Sequence, residues 1–173
     1  MPGNVKSIFL YGPNLEYVLF KNAINSSEDG AKIWFISPDP FKKFPSDIAI
    51  LDKEILKNIT FLYLKDSTEL LKHLNSIHTW YRIPEIIILN NFHVYRNNNA
   101  TSSVHSAHLC ASLLDACKAC SKKLEKTATL LVAYNIDPPE GELIQNIVDL
   151  YFDSVHNTEE LPSSYIIPGM EIT

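Results

Sequence analysis

The first turn of the chain, Phe9-Leu10-Tyr11-Gly12-Pro13-Asn14-Leu15, stands where an apolar strand gives way to a helix. A phosphate-binding loop at such a turn needs several glycines, so that consecutive backbone N–H groups face the phosphates. It also needs a lysine for the outer phosphates and a Ser or Thr hydroxyl on magnesium. Here Gly12 is the one glycine, the turn holds no lysine, and Lys21 comes too far along the helix to stand in. Gly12, Pro13 and Asn14 therefore read as a degenerate phosphate loop turned into a short structural turn. The second half of a nucleotide site is a carboxylate after a buried strand, holding the magnesium shell. The run Glu85-Ile86-Ile87-Ile88-Leu89 has that strand's character but ends in Asn90-Asn91. A neutral amide binds a hard cation less well than a carboxylate does. Both halves fail in the same direction, so no bound cofactor is expected and catalysis of nucleotide hydrolysis is not.

Other reactive residues read as structural. Cys117-Lys118-Ala119-Cys120 has redox spacing, but a redox pair belongs at a helix N-terminus, where the dipole lowers the thiol pKa. These cysteines lie inside a helical stretch with Val104, Ala107, Ala111, Leu114, Cys117 and Leu124 on its expected apolar face, and free Cys is a common buried residue. His105 and His108 come two to three turns earlier, too far along the axis to share a tetrahedral zinc, so no metal site is expected. Basic residues gather at Lys42-Lys43 and at Lys118, Lys122, Lys123 and Lys126. The second group suits a helix C-terminus; Lys42 and Lys43 are the candidate contacts to a DNA backbone. Arginine occurs only at Arg82 and Arg96, and no Gly-x-Ser-x-Gly nucleophile elbow is present.

The elements that must position these residues alternate. Strands are expected at Lys6–Tyr11, Lys32–Ile36, Ile59–Leu64, Glu85–Leu89 and Thr129–Ala133, with terminal strands around Tyr151–Val155 and Tyr165–Ile167. Helices are expected from Leu15 to Ile24, from Asp66 or Ser67 through Ile77, from Val104 to Leu124 and over Glu142–Leu150, with Asn25–Gly30 a polar loop. Unbroken apolar runs such as Ile86–Leu89 suit strands buried on both faces. Crossovers of this length favour a parallel sheet flanked by helices on both faces. The fold class expected is α/β, one domain over residues 1–173.

Composition sets the outer limits. The 173 residues are 46% hydrophobic and 20% charged with net charge −5, which suits one globular domain and disfavours a chain that coats nucleic acid by itself. No apolar run approaches the roughly 20 residues of a membrane span. An odd count of three cysteines and a start without signal-peptide layout point to reduced thiols in a cytoplasmic or nuclear setting. The glycosylation triplets at Asn25, Asn58 and Asn99 are then chance occurrences.

With these segments placed, the chain resembles the small RecA-like proteins that partner SWIM-type zinc-finger proteins in animal Shu complexes. The resemblance lies in ordered segments: Ile8-Phe9-Leu10-Tyr11-Gly12 with Tyr17-Val18-Leu19-Phe20, then Phe35-Ile36-Ser37-Pro38 leading to Pro40 and Phe44-Pro45. It continues through Ile59 to Leu74, Ala107-His108-Leu109 to Leu113-Leu114-Asp115, and Leu131-Val132-Ala133. It implies a RecA-like sheet and a nuclear heterodimer with a SWIM-type zinc-finger protein, in which any zinc belongs to the partner. It further implies support of recombinase filaments on single-stranded DNA during homologous-recombination repair. Asn135 falls where the resemblance suggests a polar sensor residue. The departures at Gly12-Pro13-Asn14 and Asn90-Asn91 argue against the family's ATPase activity while leaving its protein-binding role. The alternatives are a weak DNA-stimulated ATPase using ATP and magnesium through an unconventional loop, or a RecA-like subunit of an unrelated assembly. Phe20-Lys21-Asn22-Ala23 matches a Phe-x-x-Ala recombinase-docking pattern, although a helix face packed on the sheet would place Phe20 and Ala23 in the core. Trp80, Tyr81 and Tyr165 are candidate anchors for a partner.

Overall fold

The computed structural model describes residues 4–13, 15–40, 53–96, 102–134 and 141–158. Asn14, Lys42, Lys43, Asn135, Tyr165 and the expected strand at 165–167 lie outside them. Six strands form one sheet: β1 (Val5–Tyr11), β2 (Ile33–Ser37), β3 (Ile59–Tyr63), β4 (Ile86–Leu89), β5 (Ala128–Tyr134) and β6 (Ser154–Asn157). Their order is β3-β2-β4-β5-β1-β6, and every pairing is parallel. The helices are α1 (Leu15–Glu28), α2 (Lys53–Leu56), α3 (Ser67–Asn75), α4 (Phe92–Tyr95), α5 (Ser102–Leu124) and α6 (Gly141–Tyr151). This is an α/β sheet flanked by helices, consistent with a RecA-like fold. None of the helices among the described residues is long and apolar enough to cross a membrane.

The layering follows from strand direction. The chain moves from β1 across the sheet to β2 and then to β3, returning through β4 and β5 to β6. Crossovers of one hand must put these two journeys on opposite faces. Accordingly Leu15, Leu19, Ala23 and Ile24 of α1 pack with Ile8, Leu10, Phe35, Ile88 and Leu131 on one face. Leu70 and Leu74 of α3, Leu109 and Leu113 of α5 and Ile147 of α6 pack with Phe9, Trp34, Leu89 and Val132 on the other. β2, β4 and β5 are buried at every position, which is why their sequences run apolar without alternation.

The terminal strand expected around Tyr151–Val155 is β6 at Ser154–Asn157, since Tyr151 still belongs to α6, and three further details depart from the sequence reading. Residues 25–28 continue α1 instead of looping, since Ser26 and Ser27 are buried and the Ser27 hydroxyl donates to the Ile24 carbonyl. The helix then ends in a Schellman motif: Ala31 N donates to Ser26 O, Gly30 N donates to Ser27 O, and Gly30 takes φ +90°. The buried face of α5 comprises Leu109, Cys110, Leu113, Ala116, Cys117 and Cys120, whereas Val104 is 73% exposed. The helix that carries Leu70 and Leu74 stops at Asn75, and Ile77–Thr79 forms a separate 3-10 turn. Its start is as expected, with Asp66 accepting from Glu69 N at 2.9 Å and Glu69 Oε2 from Lys65 N at 2.8 Å.

Candidate functional site at the carboxyl ends of the strands

β1 and β5 are neighbours whose connections leave over opposite faces, α1 on one and α6 on the other. In open parallel sheets ligands bind at such switch points, beyond the carboxyl ends of the strands. The β1 end holds Gly12, the β5 end Tyr134, the β4 end Asn90 and Asn91, and the β6 end Thr158. β5 separates the two halves of the would-be nucleotide site, β1 and β4.

The Gly12 turn is closed by its own chain. Gly12 N donates to the Tyr134 carbonyl at 3.4 Å. The Thr158 hydroxyl lies 3.3 Å from the Tyr11 carbonyl and 2.9 Å from that of Pro13, to which it donates. Gly12 has φ +124°, and a Cβ there would run into the Thr158 hydroxyl and sit 3.0 Å from Asn157 Oδ1. The glycine is thus required by the approach of the β6 end. At the β4 end, Asn90 is fully buried and its N donates to the Ile36 carbonyl at 2.8 Å. Asn91 takes a left-handed conformation, φ 57° and ψ 49°, at the start of α4. Asn is one of the few residues that tolerate this conformation, so the position has a backbone reason for its residue type.

Phe20 and Ala23 require a correction as docking residues. They are 2% and 0% exposed, and the Phe20 ring stacks on Phe35 at 5.2 Å with Phe61 at 6.0 Å. A docking pair must reach solvent, and this one fills the layer between α1 and the sheet. The thiols are core as well. Burial pushes Cys110 and Cys120 up to about 12, and Cys117 rises well above its usual value. Among the described residues no group of His, Cys, Asp and Glu could hold a metal ion.

The basic residues are dispersed and partly engaged. Lys126 pairs with Glu85 at 3.1 Å, and Lys123 donates to the His78 carbonyl at 2.9 Å. A cleft of about 840 Å³ with Lys32, Lys57, Arg82, Trp34 and Ile83 in its walls lies at the amino ends of β2 and β3, the opposite end of the sheet from Gly12. There Lys57 pairs with Glu54 and Lys32 donates to Asn58. Of the candidate anchors, Tyr81 is 97% exposed, whereas Trp80 is half-buried against Trp34 and His73.

One cluster escaped the sequence reading because its members are far apart in the chain. Arg96, just after α4, donates through Nε to Ser106 Oγ of α5 at 2.9 Å and through Nη1 to Tyr134 Oη of β5 at 3.2 Å. The His93 ring meets Tyr134 edge-on at 5.7 Å. Its Nδ1 is buried without a hydrogen-bond partner, and burial holds the imidazole below its usual pKa. Tyr95 anchors the short helix, donating its hydroxyl to the Leu64 carbonyl at 2.7 Å. The rarity of arginine was the one signal that could have drawn attention to Arg96. No protein-family model matches the chain, and no curated protein matches it.

Proposed function

We propose that this chain is a non-catalytic RecA-like subunit of a Shu-type complex. It would pair with a SWIM-type zinc-finger protein in the nucleus and support recombinase filaments on single-stranded DNA. The carrying observation is the Gly12 turn, whose N–H and neighbouring carbonyls are spent on Tyr134 and Thr158. A phosphate loop works by presenting N–H groups to its ligand, and this turn is tied instead to its own sheet. The strand order, with β5 between β1 and β4, is consistent with a RecA-like sheet, and the choice of family rests on the ordered-segment resemblance. What such a fold retains is a rigid scaffold with edge strands and helical faces on which a partner can pack.

Two measurements test the reading. The purified chain in magnesium should show no binding at millimolar ATP; saturable binding would restore the DNA-stimulated ATPase alternative. Tagged protein recovered from nuclease-treated nuclear extract should retain a SWIM-type zinc-finger protein in one-to-one ratio. A different stable partner in that ratio would assign the chain to an unrelated assembly.

A further inference from the structure

The cleft at the amino ends of β2 and β3 holds about 840 Å³, room for a nucleotide-sized ligand, and Lys32, Lys57 and Arg82 in its walls are exposed. Its cations form a row. Lys57 leads into β3, Lys32 into β2 and Arg82 into β4, and these strands are neighbours in that order, about 4.8 Å apart. Register keeps their starts level, since Ile33 pairs with Ile59 on one side and with Ile86 on the other. The charge of the row is poorly answered within the chain. The Lys57–Glu54 pair leaves its side chains 67% and 73% exposed, and such a pair is worth little, so Lys57 stays open to a stronger anion. Among the described residues no carboxylate pairs with Lys32 or Arg82, and Glu85, next to Pro84 in the cleft wall, pairs with Lys126. Beside Arg82 in the chain stands Tyr81, 97% exposed.

We propose that this cleft docks a short stretch of single-stranded nucleic acid, its phosphates following Lys57, Lys32 and Arg82 and one base stacked on Tyr81. A row of cations suits a line of phosphates better than a single anion. An exposed aromatic ring beside a guanidinium holds a base and its phosphate together, whereas an acidic peptide would use the cations and leave the ring idle. The chain carries net charge −5, so the contact is local and its affinity falls steeply with salt. The identity of the strand as DNA rests on the adaptor reading. The surface itself lies at the opposite end of the sheet from Gly12 and does not depend on the fate of that turn.

The test is fluorescence anisotropy of a labelled oligothymidylate of about ten nucleotides titrated with the full purified chain. Binding should saturate and weaken with salt. Arg82→Gln and Lys32→Gln should each flatten the plot of log affinity against log salt by about 0.7, the share of one phosphate contact to a single strand. Tyr81→Ala should weaken binding about fivefold or more and leave that slope unchanged, as loss of a stacked base does. All three side chains are exposed, so the variants should keep the fold, and urea midpoints matching the parent's check it. An oligoglutamate of the same length that competes as well as unlabelled oligothymidylate would overturn the nucleic-acid assignment in favour of an acidic peptide. Binding unchanged in all three variants would place the strand elsewhere and overturn the proposal, as would no binding at about 100 μM chain in low salt. The chain is assayed alone, so a negative result leaves the zinc-finger co-purification test of the adaptor reading to stand or fall separately.

Discussion

Gly12 illustrates how a residue suggestive of one chemistry can be held by another constraint. Its φ of +124° excludes ordinary side chains, and the Thr158 hydroxyl occupies the space of a Cβ. Gly12→Ala should therefore cost roughly 2 kcal/mol or more, backbone strain adding to overpacking. Urea denaturation would measure it, and Thr158→Ala in the same chain should recover the steric part only. A Gly12 variant is consequently a poor reporter of nucleotide binding, since the fold suffers first. Titrating residues bracket stability in a similar way. His73 and His93 are lowered by burial, so the folded state binds fewer protons than the unfolded one below the usual histidine value of 6.5. Stability should fall as pH drops below about 6.5. Cys110 and Cys120 are raised by burial to about 12 from 9.0, so the folded state holds protons that the unfolded state loses. Stability should also fall as pH climbs above about 9, giving a plateau between the two limits in urea midpoints measured against pH. A midpoint rising beyond pH 9 would contradict buried thiols.

At the scale of elements, the Phe20 result separates core from docking. Phe20→Ala removes a ring stacked on Phe35 and should cost about 3–5 kcal/mol in unfolding free energy. A loss well under 1 kcal/mol would return Phe20 to the surface. Asp66→Ala should cost about 1 kcal/mol through the lost cap at the start of α3. The five strands from β1 to β5 were legible within a residue or two: β2, β4 and β5, buried on both faces, are written as nearly unbroken apolar runs, and the edge strand β3 is dense in β-branched and aromatic residues. The α5 face was legible only in part. The sequence pattern chose Val104, Ala107, Ala111, Leu114, Cys117 and Leu124; Cys117 is buried, as are Cys110 and Cys120, but the rest of the buried stripe runs through Leu109, Leu113 and Ala116, about one position around the helix from Ala107, Ala111 and Leu114. Alanine, cysteine and serine occur all round that helix, so its periodicity is weak, and contact with the sheet decides which side is covered. α4 is a single turn without periodicity of its own, and with it went the Arg96 cluster, which exists only once β5 and α5 arrive beside it. The constraint on Gly12 was not legible, because the Thr158 contact that explains it spans almost the whole described chain.

Among the described residues of the molecule, the middle and the edges of the sheet differ in kind. β5 lies between β1 and β4 and is buried at every position, while β6 at one edge is half-buried throughout and β3 at the other is mixed. Opening β5 requires separating both neighbours and both helical layers, which amounts to global unfolding. Among the described residues β6 pairs with β1, supported by Asp153, whose carboxylate and N–H both bond Ser7, and by the Thr158 contacts. Backbone amides of β5 should therefore exchange with solvent at the global unfolding rate, and those of β6 at least about tenfold faster through local opening. Native-state hydrogen exchange on the isolated chain measures this directly. On the proposed adaptor reading the difference matters, because an edge that opens at low cost can be remodelled against a partner without dismantling the sheet that carries it. Equal protection of β6 and β5 would mean that this edge is locked into the core, and a partner would then have to use the helical faces instead.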